Sequence, residues 1–196
     1  MEKAATTMMY DQELEEVKGI LEQGGTILFP TDTIWSLGCD ATNSVAVKKL
    51  LSLKGNEASA FFTVLVDSSN MIKKYVGHLH PKIETLLAYH RRPLTVVYDA
   101  AKNLPDNVIA ADGSVAIRIP QDEYCRYLIR SFGKPIVVTT ANIDSGVLPE
   151  SFEDIEEQLK KKADFISSRR RKEAFSDGLA VMVRLSPRAE LVFLRE

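Results

Sequence analysis

Gly24-Gly25-Thr26-Ile27-Leu28-Phe29-Pro30-Thr31-Asp32-Thr33-Ile34-Trp35-Ser36-Leu37-Gly38-Cys39-Asp40 is the stretch around which the chain is organised. Thr26 to Phe29 is a short apolar, β-prone run, with two glycines in front of it as punctuation. Pro30 has no N–H to give a ladder and is expected to end the strand. Thr31, Asp32 and Thr33 follow at once, and Ser36, Gly38 and Asp40 stand close behind. The residue order therefore predicts hydroxyls and carboxylates just past the carboxyl end of a buried strand, the edge at which open α/β sheets bind ligands. The competing reading is a polar turn closed by an Asx hydrogen bond at Asp32.

On the N-terminal side, Asp11 to Gln23 carries Leu14, Val17, Ile20 and Leu21 at helical spacing, which predicts an amphipathic helix stopped by Gly24-Gly25. On the other side, Ser44 to Leu53 reads as a helix capped by Ser44, with Val47, Leu50 and Leu51 inward. Phe61 to Val66 is continuously apolar, as a strand buried on both faces would be. Pro81 suits the first turn of a helix to Tyr89. Strands are expected over Leu94 to Tyr98, Val115 to Ile119 and Pro135 to Thr139, with a helix over Tyr124 to Phe132 ended by Gly133. Ser151 and Asp154 suggest a capping box for a helix reaching Lys161. Ala180 to Leu185 and Leu191 to Leu194 complete the pattern as an antiparallel pair. Helices and strands alternate through most of the chain, which predicts an α/β fold with a mixed sheet.

A chain of 196 residues suits one domain, expected over residues 10–196 with residues 1–9 as a tail. Its formal charge of −2 excludes a global basic field, so any nucleic-acid surface must be local. Cys39 and Cys125 are too few for a disulfide framework or a metal cluster and are expected to be reduced, partly buried thiols. No apolar run reaches the roughly 18 residues of a membrane span, and the first ten residues lack the apolar core of a signal peptide. The expectation is a cytoplasmic protein without a membrane partner.

Several side chains carry possible chemistry. Lys54, on a Gly-flanked turn after a helix, can reach a phosphate as a mobile point charge; the alternative is a solvated lysine favoured by the helix dipole. Arg118 stands in the middle of an apolar strand, where it is costly unless a carboxylate, internal or from a ligand, pairs with it. Thr140 and Asn142 follow a strand end. His90-Arg91-Arg92 and Arg169-Arg170-Arg171-Lys172 are local basic stretches, read either as exposed, solvated segments or as contacts to RNA or phosphate. His78 and His80 form a pair with no third ligand type beside them, so no metal site is predicted.

The motif Pro30-Thr31-Asp32-Thr33, with an aromatic at 35 and Leu37-Gly38-x-Asp40-Ala41-Thr42-Asn43 after it, resembles the signature of the YrdC family of threonylcarbamoyl-AMP synthases. The likeness continues through Pro93-Leu94-Thr95, Val115-Ala116-x-Arg118-x-Pro120 and Thr140-Ala141-Asn142 to the C-terminus. Trp35 replaces the family's usual Tyr. The resemblance implies a YrdC-like twisted mixed sheet flanked by helices, with one deep cleft, in the short form without an additional C-terminal domain. It implies synthesis of threonylcarbamoyl-AMP from L-threonine, bicarbonate and ATP, with Mg²⁺ accompanying ATP, and a transferase complex that passes the group on to tRNA. Lys54 would hold phosphates, Arg118 the threonine carboxylate, and Thr31, Thr33, Thr140 and Asn142 would line the cleft. Besides Trp35 and one extra residue within Ile143-Asp144-Ser145-Gly146, the chain departs from the family pattern at three places. Asn56 stands for an Arg, which should weaken phosphate binding because charge-assisted bonds are stronger than neutral ones. Ala180 and Val181 stand for a Ser-Thr pair, with Ser176 as a substitute. His90, Arg91 and Arg92 stand for Trp-Pro-Gly, and the arginines would resupply charge missing at Asn56. The alternative function is a weakened family member that binds nucleotide or double-stranded RNA through Arg91, Arg92 and Arg169 to Lys172.

Overall fold

The computed structural model describes residues 2–55, 62–143, 148–175 and 178–196. Asn56, Phe61, Ser145, Gly146 and Ser176, on which some of the expectations rest, lie outside the described residues. Nine strands form one twisted mixed sheet in the order β7-β1-β2-β6-β3-β5-β4-β8-β9. The first four in chain order are β1 (Ile27–Pro30), β2 (Trp35–Asp40), β3 (Thr63–Leu65) and β4 (Leu94–Tyr98). The others are β5 (Val115–Arg118), β6 (Ile136–Thr140), β7 (Phe165–Ile166), β8 (Val181–Leu185) and β9 (Leu191–Arg195). The helices are α1 (Glu2–Glu22), α2 (Ser44–Leu53), α3 (Ser69–Tyr75), α4 (Pro81–Tyr89), α5 (Glu123–Phe132) and α6 (Glu157–Lys162).

The stretch read as one strand and a ligand loop is a hairpin. Pro30 pairs with Trp35 and Ile27 with Gly38, so β2 returns antiparallel to β1 and its other edge pairs with β6. Every residue of β2 is buried. The sequence carries the reason: Trp35, Leu37 and Cys39 alternate with Ser36, Gly38 and Asp40, the period of two that a strand needs. The small and polar members of that alternation had suggested a loop. Gly38 is required by packing, since a Cβ there would lie 3.0 Å from the Phe29 ring and 3.1 Å from both Ile136 and Val138.

Other corrections are local. α1 begins at Glu2 rather than Asp11, so the backbone expected as a tail is helical. Asn43, not Ser44, caps α2; its side-chain oxygen accepts from the Val45 and Ala46 amides. α3, capped by Ser68, and the two-residue β7 had no clear signal in the sequence. Ser151 and Asp154 do bond, at 2.7 and 2.8 Å, but they close a turn, and α6 starts only at Glu157. α2, α4 and β4 occupy the expected ranges, α5 starts one residue early, and Gly133 ends it in the left-handed conformation with φ 76°. β8 and β9 pair antiparallel as expected. β9 is the last strand of the sheet order and leaves Leu191, Val192, Phe193 and Leu194 exposed.

Candidate functional site

β5 and β1 are separated in the sheet by β3, β6 and β2. In a flat sheet four spacings of about 4.8 Å would hold them roughly 19 Å apart, beyond the reach of a side chain. The turn at 31–34 and the long Arg118 side chain nevertheless meet. Arg118, at the end of β5, donates from Nη1 to Thr33 Oγ1 at 3.1 Å and from Nη2 to Thr31 Oγ1 at 3.4 Å. Asp32 Oδ1 lies 3.4 Å from the same Nη2. Thr31, Thr33 and Arg118 are all buried. The turn is polar, but Thr31 closes it rather than an Asx bond at Asp32: Thr31 Oγ1 accepts from the Thr33 amide at 3.2 Å and donates to the Ile34 carbonyl at 3.0 Å, while the Asp32 carboxylate pairs with Arg118 and accepts from the Gln121 amide at 2.8 Å. Arg118 Nε has no hydrogen-bond partner among the described residues.

Lys54 gathers the second group. Its ammonium is buried rather than solvated. It donates to the Thr140 carbonyl at 2.9 Å, to Asn142 Oδ1 at 2.8 Å and to the Asn142 carbonyl, with Thr140 Oγ1 at 3.4 Å. Thr140 Oγ1 in turn donates to Asn142 Oδ1 at 2.6 Å. The lysine thus braces the chain where it leaves β6. An ammonium has three donors, so a phosphate here must displace a protein oxygen or feel the charge through space.

The six residues expected in a cleft therefore form two clusters, Thr31–Thr33–Arg118 and Lys54–Thr140–Asn142. They meet through the hairpin. Ser36 lies directly opposite Thr140 across the β2–β6 ladder and donates to the Ile34 carbonyl at 3.4 Å. The same carbonyl accepts from Thr31 Oγ1 at 3.0 Å.

Arg91 and Arg92 are exposed. With Asp32, Pro93, Gln121, Leu179 and Val181 they line a hollow of about 390 Å³ next to the Arg118 cluster. The second basic run behaves differently from a solvated or RNA-facing segment. The Arg169 guanidinium stacks 3.8 Å from the Tyr124 ring centroid and lies 3.8 Å from Asp122. Arg170 pairs with Glu173 at 2.6 Å and donates to the Thr31 carbonyl at 3.1 Å. Arg171 donates to the Ser167 and Ile166 carbonyls and stacks on Phe152. These arginines tie residues 166–175 onto the site from behind. Val181 contributes its amide to the Pro93 carbonyl, and Ala180 its carbonyl to Arg195, so both act here through backbone.

Sequence reading missed two contributors, Glu13 and Arg195. Glu13 is buried and accepts from the Tyr124 hydroxyl at 2.9 Å, from Ser167 Oγ at 2.6 Å and from both Ser168 donors. Burial pushes its pKa up, but the bonds from Ser167, Ser168 and Tyr124 outweigh that and hold it below the ordinary glutamate value. Arg195 shares a sheet row with Met182, Thr95 and Arg118, and burial together with the Arg118 charge lowers its pKa. Trp35 packs against Phe152 at 5.0 Å, inside the protein rather than in the hollow. A helical periodicity placing Glu13 beside Leu14 and Val17 was a usable signal; for Arg195 there was none. Both cysteines are free and buried, and burial raises both thiol pKa values, so neither is a ready nucleophile.

The Sua5/YciO/YrdC family model, described as Telomere recombination, matches residues 19–188. The chain belongs to this family. A threonylcarbamoyl-AMP synthase of Riesia pediculicola is 31% identical over 141 residues, covering 70% of this chain and 75% of the relative. The family fold is equally clear in solved structures. P. abyssi Sua5 complexed with L-threonine superposes with a TM-score of 0.79 at 24% identity, over 94% of this chain. E. coli YciO gives 0.78 at 18% identity, over 94% of this chain and 89% of its own. This family member spans 54% of the P. abyssi Sua5 chain. Among the described residues no helix is long and apolar enough to cross a membrane, and no group of three or more His, Cys, Asp or Glu could hold a metal ion.

Proposed function

We propose that this family member makes threonylcarbamoyl-AMP from L-threonine, bicarbonate and ATP, and that a separate transferase complex passes the group to tRNA in the cytoplasm. The threonine amine and bicarbonate join in a carbamate with loss of water. A carbamate oxygen then displaces pyrophosphate from the α-phosphorus. No covalent protein intermediate is needed, so the chain's part is positioning and charge stabilisation. The observation that carries this reading is Arg118: a buried guanidinium whose Nε lacks a partner, beside two threonine hydroxyls. An unmade bond to such a group costs about 1–3 kcal/mol or more, which a ligand carboxylate would recover. The relative's printed function and the threonine complex of P. abyssi Sua5 support the same assignment.

Arg118 would grip the threonine carboxylate, Thr31 and Thr33 would fix its orientation, and Lys54, Thr140 and Asn142 would face the phosphates across the hairpin. Mg²⁺ would arrive on the triphosphate, which supplies most of its ligands. The Asp32 carboxylate fits as one further oxygen ligand. The test is substrate-specific. Arg118→Gln should raise the KM for L-threonine by about 10- to 100-fold, as expected for losing a charge-assisted carboxylate contact, while the KM for ATP changes little. Equal threonine KM values for parent and variant would remove Arg118 from the threonine site.

A further inference from the structure

The hollow beside Asp32 contains cations that the protein itself does not use. Around it, Arg118 is paired with Asp32, Arg170 with Glu173 and the Thr31 carbonyl, and Arg195 with the Ala180 carbonyl. Arg169 lies on Tyr124 and near Asp122, and Lys54 is enclosed by the Thr140 and Asn142 oxygens. Arg91 and Arg92 differ: both are exposed, and neither makes a hydrogen bond or ion pair with a described residue. Their loop is nevertheless anchored at both ends. His90 Nδ1 sits 3.0 Å from the Leu87 carbonyl and 3.2 Å from that of Leu86, and the Pro93 carbonyl accepts from Val181 at 2.9 Å. Two guanidiniums on a pinned loop, at the rim of a concave site, carry two positive charges next to an internally neutral Arg118–Asp32 pair.

We propose that Arg91 and Arg92 form a phosphate clamp on the rim of this hollow and take the polyphosphate of the nucleoside triphosphate. A single-strand or duplex nucleic acid is the less fitting occupant: the two arginines face a hollow of about 390 Å³, the second basic run is folded onto the protein, and the net charge is −2. The fork of each guanidinium matches two phosphate oxygens, and the departing pyrophosphate carries the charge that such a clamp stabilises. The nucleotide part of this assignment rests on the proposed synthase reading; the anion site does not.

The experiment titrates the full chain and its Arg91→Gln/Arg92→Gln variant with inorganic tripolyphosphate, MgATP, L-threonine and a short RNA duplex. Both side chains are exposed, so the variant should melt with the parent. Loss of two charge-assisted contacts should weaken tripolyphosphate and MgATP binding by about 10- to 150-fold, with L-threonine binding unchanged. An Arg91→Lys/Arg92→Lys variant should fall between the two. If the parent binds tripolyphosphate in an arginine-dependent way but not MgATP, the clamp stands and the synthase reading fails. Equal tripolyphosphate and MgATP affinities for parent and Gln variant overturn the clamp, and so does a loss confined to RNA.

Discussion

Glu13 shows most directly what one residue does for the site. It is a buried carboxylate on α1 with four bonds, one from Tyr124 and three that pin Ser167 and Ser168 and through them the turn that delivers Arg169, Arg170 and Arg171. Its pKa is lowered on folding despite the opposing push of burial. A depressed carboxylate contributes stability above its unfolded pKa and loses it as pH falls through the folded value. Stability should therefore decline on acidification from about pH 5 downward. Glu13→Gln should cost about 1–3 kcal/mol at pH 7, since a charged acceptor with several donors is replaced by a neutral one. The penalty should shrink as the pH is lowered toward 3. Urea melts of parent and variant at both pH values measure this; a penalty that does not change with pH would show that the charge contributes nothing. At this scale the sequence was informative about type and weak about partners. Arg118 in an apolar strand had to be paired, and it is. That Lys54 would be enclosed by carbonyls rather than held out to solvent depends on where the 140–142 segment passes, which no local pattern encodes. The three arginines at 169–171 read as a charged run because charge is visible in sequence, whereas the rings of Tyr124, Phe152 and Phe175 that receive them are distant in sequence or hidden from any local pattern.

The β1–β2 hairpin is the element on which both clusters depend. Its turn carries Thr31 to Ile34, and its second strand lies opposite β6, from whose end the Lys54 partners emerge. The sheet packs so closely at Gly38 that a Cβ would have to push the Phe29 ring and the methyls of Ile136 and Val138 aside by a few tenths of an ångström. Gly38→Ala should thus destabilise the fold by about 1–3 kcal/mol, the usual cost of overpacking a core. It should also lower activity by shifting Thr31 and Ser36 together. Chemical denaturation checks the first part; a Gly38→Ala variant as stable as the parent would mean the hairpin can slide apart without cost. β1 was legible because three large apolar residues, Ile27, Leu28 and Phe29, end at a proline. β2 was not, because its hydroxyl, glycine and carboxylate positions imitate a loop, and the strand becomes evident only once β1 and β6 pair with its two edges and all its residues are buried. α2 was legible over its range though not in its cap, and α5 to within one residue, since each combines an apolar stripe with a strong stop signal. α3 and β7 are too short for a period to show.

At the scale of the whole molecule, the candidate site joins strands that are not neighbours in the sheet. A flat version of the same strand order would leave Arg118 far from Thr31, whereas the observed sheet brings them to 3.4 Å and sets the Arg91–Arg92 rim beside them. The architecture was predictable from the alternation of helices and strands and from the family likeness. The order of strands was not, because β3 and β6 insert between β2 and β5 through pairings distant in sequence. The site is consequently a product of the assembled sheet and not of any one segment. It holds one buried arginine beside two threonine hydroxyls, one enclosed lysine at a strand end, and two exposed arginines lining the hollow. The most direct test of synthase activity supplies ¹⁴C-bicarbonate, L-threonine and MgATP to the purified chain and separates the nucleotides. The predicted result is label in an adenylate that forms only when threonine is present, with pyrophosphate released in equal amount. ATP bound without any labelled adenylate, under conditions where the Riesia pediculicola threonylcarbamoyl-AMP synthase forms it, would contradict the assignment.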